Sequence, residues 1–499
     1  MVSSRWFPLF FFSLLNVVFF WPFFFEGKIP VDANPLYRSY PWTAYDTHGL
    51  KHEINPAKHY HNIDAALSLY PLRKEVRRQI RSGEFPFWTG NIFSGTQLVG
   101  TQVAVFDVLT PLYYVLPEGI GHGLVIILQF ILAGWFMSLF CESLGLSRAA
   151  SFMAGIAYMW NSHFMRWFGT VSYNATLCWL PLILYGVNQY AKGKRYGFHI
   201  VVFSLVAQFF GDHPQLWIYN IAAFGTYALF QIWRLSNCRQ LAIKFAAAFL
   251  LSILIASPEL FSVASALRNS PRGSSDTAEM YGGRNFLSPR KLPTLFVPDL
   301  FGQTENNVFS KLLLKTPLDK TDGFWGRLIF GQPGSVYNRI LAYVGLLPFL
   351  FALLSINTLI GRAGVSAGRR MASTEARPPV RETGHVRFFW LLALIPLLFL
   401  TLTNFKIFND LVSWFWNGAR TLDHSRILVL CVFSFSVLSA FGFDLLQSES
   451  HRRTVMSLFK ITAVTFAILL VLMMIGGFAG SILQQRGLSY YSQHMGSFP

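Results

Sequence analysis

One carboxylate and four cations early in the chain have the types and spacing needed for acid–base and phosphate chemistry. Asp64 precedes a segment in which Arg73, Lys74, Arg77 and Arg78 lie on neighbouring stripes of a predicted helix. An aspartate at a helix N-terminus beside cations stays ionised, and an ionised carboxylate that reaches a hydroxyl acts as a general base. The cations would then hold a phosphate. The alternatives are a helix-stabilising aspartate and plain anchoring of the cations to anionic headgroups.

Further groups join this candidate site from the rest of the chain. Asp107 and Glu84 lie in the same loop and are candidate second carboxylates, with a structural role as the alternative for each. Arg268 and Arg272 of a later loop are further candidate substrate-binding cations. His213, in an Asp-His-Pro-Gln turn, either stabilises that turn or lines the site.

Metal and nucleotide chemistry have weaker signals. Four histidines precede Asp64, but their spacing matches no tight ligand pattern and favours solvated loop residues: His48, His52, His59 and His61. The chain has neither a P-loop nor a dinucleotide-binding glycine motif. We therefore expect no cofactor and assign no metal ligand, while a divalent metal stays open.

The element that positions Asp64 and the four cations is a predicted amphipathic helix over 62–83. Asn62 is its candidate N-cap, Gly83 its candidate C-terminal stop, and Pro71 is expected to kink it. The apolar positions at helical spacing are Leu69, Leu72, Val76 and Ile80. Such a helix suits the membrane interface, with its apolar face in lipid and its cations near phosphates.

The composition places this helix in a membrane protein. Of 499 residues, 53% are hydrophobic and only 13% are charged, against about 25% charged in ordinary soluble domains. This excludes a soluble enzyme, a disordered chain and a disulfide-rich secreted domain. The formal charge is +17, but the basic residues mostly flank long apolar runs, which indicates membrane orientation and no nucleic-acid partner.

The fold class predicted from the apolar runs is an all-α polytopic membrane protein with about eleven spans. The candidate spans are 6–25, 120–141, 149–167, 173–190, 196–210, 215–233, 243–263, 336–360, 388–404, 427–446 and 456–482. Short basic loops favour a cytoplasmic N-terminus and an extracytoplasmic C-terminus.

The same topology divides the chain into outward loops and membrane bundles. The predicted segments are a retained anchor at 1–25, a large extracytoplasmic loop at 26–119, a bundle at 120–263, a second extracytoplasmic loop at 264–335, a bundle at 336–482 with a cytosolic linker at 361–387, and an extracytoplasmic tail at 483–499. Both long outer loops are basic, which the charge rule permits because long loops cross the membrane largely regardless of charge.

A family resemblance follows from the run NIDAALSLYPLRKEVRRQIRSGEFPFWTGNIFSG and the later VFDVLTPLYYVLP. Together they resemble the signature of YfhO-type bacterial membrane proteins: an Asp, a Tyr-Pro pair, a basic amphipathic helix and a Gly- and Trp-containing turn. Three later stretches resemble further family elements in the same order: 210–215, 256–272 and 422–442.

The resemblance implies a relation to GT-C glycosyltransferases, in which a large first outer loop carries an acidic residue and the donor is a polyprenyl-phosphate-linked sugar. Asp64 matches that acidic position. The implied protein has a GT-C-like fold in the bacterial inner membrane and transfers a sugar to an envelope glycan or lipid acceptor, with inversion. The alternatives are a lipid or glycan transporter or flippase, and a non-catalytic envelope assembly protein.

Overall fold

The computed structural model of the protein describes residues 6–31, 64–92, 94–235, 238–270, 295, 342–360, 380–402 and 423–446. These parts are mostly helical. The helices are α1 Phe7–Phe19, α2 Trp21–Glu26, α3 Tyr70–Arg81, α4 Thr110–Val115, α5 Glu118–Ser143, α6 Arg148–Met159, α7 Ser162–Trp167, α8 Ser172–Leu177, α9 Leu180–Ala191, α10 Tyr196–Phe210, α11 Pro214–Arg234, α12 Cys238–Ile255, α13 Ser257–Arg268, α14 Leu346–Leu354, α15 Asn357–Ile360, α16 Val380–Leu402 and α17 Val429–Leu445.

Four of the described helices are long and apolar enough to cross a membrane. They are α5, α12, residues Thr383–Leu402 of α16, and His424–Leu445, where a 3₁₀ turn over His424–Leu428 leads into α17. Shorter apolar helices are Phe7–Phe19, Tyr196–Phe210 and Leu346–Leu359. The predicted helical membrane protein is confirmed. The count of about eleven spans and the loop layout stay predictions, and the span at 456–482 lies outside the described residues.

Several predicted spans are divided into two helices. The span at 149–167 is interrupted because the side-chain oxygen of Asn161 accepts hydrogen bonds from two backbone N–H groups and thereby starts α7. The span at 243–263 ends with α12, and α13 begins with Pro258 in its first turn. The first span, 6–25, consists of α1 and α2. Hydropathy alone does not register such breaks.

The first helix is fixed in the bundle by an aromatic side chain in a glycine-lined notch. Phe12 is fully buried between Gly134 of α5 and Gly155 of α6. A Cβ atom at Gly134 would lie 2.9 Å from Cδ1 of the Phe12 ring, and one at Gly155 would also collide with the ring. Asn16, also fully buried, donates to the Phe12 carbonyl at 2.8 Å and lies 3.5 Å from the Met159 sulfur. Close packing at small residues is typical of helices in lipid.

Residues 64–116 form a small unit that we call the loop domain. The helix predicted over 62–83 is confirmed from Ala65 to Arg81, as a π-helical turn over Ala65–Leu69 followed by α3. Gly83 follows the helix with φ +80°, while Asn62 lies outside the described residues. The buried apolar side chains that pack together in this domain are Val76, Leu98, Val99, Val103 and Val105, against partly buried Leu72 and Ile80. The expectation that the apolar face lies in lipid is therefore wrong, because protein covers it.

The loop domain contacts the membrane helices at the end of the bundle where α5 begins and α10 and α12 end. Its hairpin pairs β1, Trp88–Thr89, with β2, Thr96–Gln97. The Gln97 side chain donates to the Ser262 carbonyl of α13 at 2.9 Å. Gly100 has φ +78°, and a Cβ there would lie 2.6 Å from the backbone nitrogen of Val263. Such a close approach requires glycine.

Candidate functional site

Asp107 is a buried carboxylate just before α4. Its side chain is 1% exposed, and Oδ2 accepts hydrogen bonds from the backbone of Leu109 and the hydroxyl of Thr110, at 3.2 and 3.3 Å. Among the described residues, Oδ1 has no hydrogen-bond partner. Burial raises the pKa of Asp107 to about 6, and the positive charge of Arg73 opposes that rise. This carboxylate therefore has a raised pKa and one buried oxygen without a described hydrogen-bond partner.

Arg73 lies inside the loop domain. Its Nη1 donates to the Val103 carbonyl at 2.8 Å, and its guanidinium carbon lies 5.0 Å from the centre of the Tyr113 ring. Burial lowers the pKa of this guanidinium. The Arg73 side chain is only 3% exposed, so it supports the loop and stabilises the ionised form of Asp107. Its predicted contact with a phosphate stays a prediction.

Arg77 binds the end of α4. Its Nε donates to the Tyr113 carbonyl at 2.8 Å and its Nη2 to the Leu116 carbonyl at 2.7 Å. Arg81, one turn later, donates to the carbonyls of Tyr114 and Val115. Cations that satisfy the last carbonyls of a helix also compensate its dipole. These two arginines join α3 to α4.

Two of the predicted cations are exposed. Lys74 lies 3.7 Å from Glu118, with 65% of its side chain exposed. Arg78 pairs with Glu75 through both Nε and Nη2, at 2.9 and 2.8 Å, and reaches Glu84 only at 4.0 Å. Exposed pairs of this kind contribute little to stability. Lys74 and Arg78 are therefore accessible to an anion, and Glu84 lies at the surface away from Asp107's hydrogen bonds.

The remaining predicted residues lie at the limits of the described segments. Asp64 is exposed and directly precedes the π-helical turn, to which its side chain makes no capping hydrogen bond within the described residues. Arg268 is exposed at the end of α13. Arg272 and the four predicted loop histidines lie outside the described segments. Within those segments, no group of three or more metal-binding side chains lies together.

Two further buried carboxyl groups lie between the loop domain and the bundle, in stretches that resemble family elements but were given no role from the sequence. Asp212, in the turn between α10 and α11, and Glu259 of α13 are 0% and 1% exposed, and their carboxyl groups interact with each other. Oδ2 of Asp212 also accepts from the Ala104 N–H at 3.2 Å, and the N–H groups of Gln102 and Val103 face the same carboxyl. Burial raises the pKa of both acids, and the negative charge of Asp212 raises the pKa of Glu259 further.

The backbone is strained where these groups meet. Gln102, Ala104 and Asp212 have φ values of +66°, +56° and +60°, in the left-handed region that non-glycine residues rarely adopt. Each such residue costs about 1 kcal/mol or more, and clusters of them occur at functional sites. The alternation turns successive N–H groups toward one acceptor, an arrangement that binds anionic oxygen.

His213 meets a cation that the motif analysis did not assign to the site. Nη1 of Arg426 lies 3.1 Å from Nε2 of His213 and 3.3 Å from Oε1 of Gln215, while its Nε lies 3.5 Å from Oδ2 of Asp423. The guanidinium carbon also lies 5.3 Å from the Trp167 ring centre. In the sequence, Arg426 lies next to an apolar run, within the stretch 422–442 that resembles a family element.

Asp107 thus ends the loop 102–107, while Asp212 accepts a hydrogen bond from Ala104 of that loop and interacts with Glu259. Carboxyls whose pKa is raised by burial mark candidate acid–base sites, because they exchange protons near neutral pH. Arg73 is the buried cation beside Asp107, and the Arg426–His213 contact lies on the other side of the turn that carries Asp212. The arrangement can accept a proton and stabilise an anion at one end of the bundle.

Comparison with known protein families finds a match to the part of the chain that carries these residues. Residues 69–292 match the family model described as bacterial membrane protein YfhO, a range that includes Asp107, Asp212 and Glu259. No curated protein matches the chain, and no solved structure matches it. The resemblance predicted from the motifs is confirmed over these residues, and its wider relation to GT-C enzymes stays a prediction. Residues 69–292, a little under half of the chain, are thus similar to the family described as bacterial membrane protein YfhO.

Proposed function

We propose that the protein is an integral-membrane glycosyltransferase. It moves a sugar from a polyprenyl-phosphate-linked donor to a hydroxyl of an envelope glycan or lipid on the extracytoplasmic side of the bacterial inner membrane. The observation that carries the proposal is Asp107: a buried carboxylate with one unpartnered oxygen and a pKa near 6, on a loop held by buried charges.

The reaction is a single displacement. The acceptor hydroxyl attacks the anomeric carbon of the donor sugar, Asp107 takes the hydroxyl proton, and the bond from that carbon to the phosphate oxygen breaks. Polyprenyl phosphate leaves with the electron pair, and the configuration at the anomeric carbon inverts. A base whose pKa lies near the working pH is both ionised and basic enough for this step. An oxygen without a partner is where such a hydroxyl would bind.

The leaving phosphate needs cations. Lys74 and Arg78 are exposed on α3, and Arg268 is exposed at the end of α13. Arg426, held by His213, is partly exposed at the same end of the bundle. We assign the stabilisation of the phosphate to these groups, because positioned cations act most strongly on charge that develops in the transition state.

Asp64 is the alternative base, and pH dependence distinguishes the two. If Asp107 is the base, the transfer rate falls on the acid side with a midpoint near pH 6. An acid limb without a midpoint near pH 6 would argue against Asp107 and leave Asp64 as the candidate base.

The test compares envelope glycans by mass spectrometry in cells that lack the gene and carry one variant each. Asp107→Asn is expected to lower transfer by about 100-fold or more, since general-base catalysis contributes about 10²–10⁴-fold. Glu26→Gln, an exposed carboxylate paired with Lys28, is the control and is expected to keep transfer. Loss of transfer in Asp64→Asn but not in Asp107→Asn would move the base to Asp64. Unchanged glycans in both variants, or on deletion of the gene, would contradict the proposal.

A further inference from the structure

Three separate parts of the chain meet at the Asp212–Glu259 contact. Asp212 belongs to the turn before α11, Glu259 to α13, and the N–H donors to the loop at 102–104. Around the pair the packing is apolar, with Phe209, Trp217, Ala256 and Val263 in one buried cluster. Among the described residues, neither oxygen of Glu259 meets a hydrogen-bond donor, and no cation forms a salt bridge with either acid.

Two ionised carboxylates do not remain in contact in such a place. Desolvation and mutual repulsion both disfavour the second charge, so the pair keeps one proton. The proton belongs on Glu259. Asp212 already accepts hydrogen bonds from the loop, and a protonated Glu259 can donate a further one to it. The O–H of Glu259 then donates to Asp212, and the remaining negative charge faces the three N–H groups.

Hydrogen bonds connect this pair to Asp107. Ala104 donates its N–H to Asp212, and its carbonyl accepts from the Thr110 hydroxyl at 3.0 Å and the Asp107 N–H at 3.4 Å. The Thr110 hydroxyl also lies 3.3 Å from Oδ2 of Asp107. The loop backbone between them is the strained segment, which is retained only while its partners hold it.

We infer that Asp212 and Glu259 are positioning residues for Asp107, and that the proton they share holds loop 102–107 against α13 and the α10–α11 turn. The catalytic consequence rests on the proposed function, whereas the proton-dependent closure of the loop does not. When the shared proton is lost, the two charges repel, α13 and the turn separate, and Asp107 loses its fixed place.

The other titratable groups around the pair have their own partners. On the α11 side, His213 contacts Arg426 at 3.1 Å. On the loop side, Asp107 interacts with Arg73, and the buried Cys178 thiol also experiences the charge of Asp107. On α13 itself, Arg268 is exposed at the far end. Because Asp107 titrates near 6, a change above about pH 7 reports on the acid pair.

The test is hydrogen exchange of the full chain in detergent from about pH 7 to about pH 9.5, corrected for the intrinsic rate and compared with α9 as reference. In the wild type, protection of residues 98–107 is expected to fall at least about tenfold over this range. In Glu259→Gln the side-chain amide donates to Asp212 and has no proton to lose, so protection is expected to stay level. Glu84→Gln, an exposed acid in the same domain, is the matched control and is expected to keep the wild-type profile.

Two results would overturn the inference. The first is a level wild-type profile, which counts even if Glu259→Gln fails to fold. The second is a Glu259→Gln profile that falls like that of the wild type. Where transfer is measured, kcat of the wild type is expected to decline at alkaline pH as the shared proton is lost. Glu259→Gln is expected to keep KM and to show no such decline. Hydrogen exchange is measured without substrate. If protection falls with rising pH but the protein transfers no sugar, the proposed function is wrong and the closure of the loop still holds.

Discussion

Nη1 of Arg426 donates a hydrogen bond to Nε2 of His213 at 3.1 Å, which ties the entry of α17 to the turn before α11. Arginine cannot accept, so the imidazole nitrogen is the acceptor and the ring proton belongs on Nδ1. Asp212, the preceding residue, turns the other way toward Glu259 and the loop domain. One turn therefore links the loop domain to a helix more than two hundred residues later.

Replacing Arg426 should weaken both stability and activity. Arg426→Gln loses the contacts to His213, Asp423 and the Trp167 ring, and we expect the free energy of unfolding in detergent to fall by about 1–3 kcal/mol. Arg426→Lys should not restore transfer, since an ammonium group cannot stack on an aromatic ring or form paired hydrogen bonds as a guanidinium group does. Arg239→Gln, an exposed arginine at the start of α12, is the control and should change the unfolding free energy by less than about 0.5 kcal/mol. A fully active Arg426→Lys would contradict the assignment.

Gly100→Ala should separate the loop domain from α13. The added Cβ would lie 2.6 Å from the Val263 nitrogen, on a backbone with φ +78°. We expect a loss of about 1–3 kcal/mol in thermal unfolding measurements, from the clash and the left-handed backbone together. Gly90→Ala has open space around its Cβ, so its unfolding midpoint should match that of the wild type. Equal midpoints for both variants would show that the close approach does not exist.

Asp107 should make stability depend on pH in the acid range. Its folded-state pKa is raised to about 6, so the folded protein keeps a proton that the unfolded chain has released. The free energy of unfolding should therefore fall as the pH rises from about 4 and level off above about 6.5, a total of about 3 kcal/mol. Chemical unfolding of the wild type and Asp107→Asn at matched pH measures it. A difference between the two proteins that does not change with pH would refute the raised pKa.

Arg73→Met should act on Asp107 as well as on the fold. The change leaves the Val103 carbonyl without its donor and removes the charge that opposes the raised pKa. We expect a loss of about 2–3 kcal/mol and a shift of the acid limb of the transfer rate to higher pH. Lys74→Met, one residue later and 65% exposed, should leave stability within about 0.5 kcal/mol. An unshifted acid limb in Arg73→Met would argue that Asp107 is not the base.

The membrane helices were predictable where one long apolar run makes one helix. The run at 120–141 corresponds to α5, Glu118–Ser143, because hydrophobic length alone decides whether a segment crosses a bilayer. The helix after Asp64 was predictable for the same kind of reason, since Leu72, Val76 and Ile80 repeat at helical spacing. What covers that apolar face was not predictable. Periodicity shows which side of the helix is apolar, but it does not show whether lipid or protein contacts that side.

The acid pair lay beyond any local pattern. Asp212 and Glu259 belong to different elements, and their contact depends on how α13 turns away from α12. The basic stripe of α3 misled in part for a related reason: Arg73 and Arg77 find their acceptors among carbonyls of the same domain, some thirty to forty residues later. Spacing identified the cations, and only tertiary packing determined their partners.

The notch that receives Phe12 has a consequence for biogenesis. The residues that complete it emerge late from the ribosome: Met159, which Asn16 contacts, is made 143 residues after that asparagine. During this interval the Asn16 amide lacks its contact with the Met159 sulfur and keeps the Phe12 carbonyl of its own helix as a partner. Newly made chains should therefore pass through a stage in which α1 is inserted but undocked, and quality-control proteases would meet it there first.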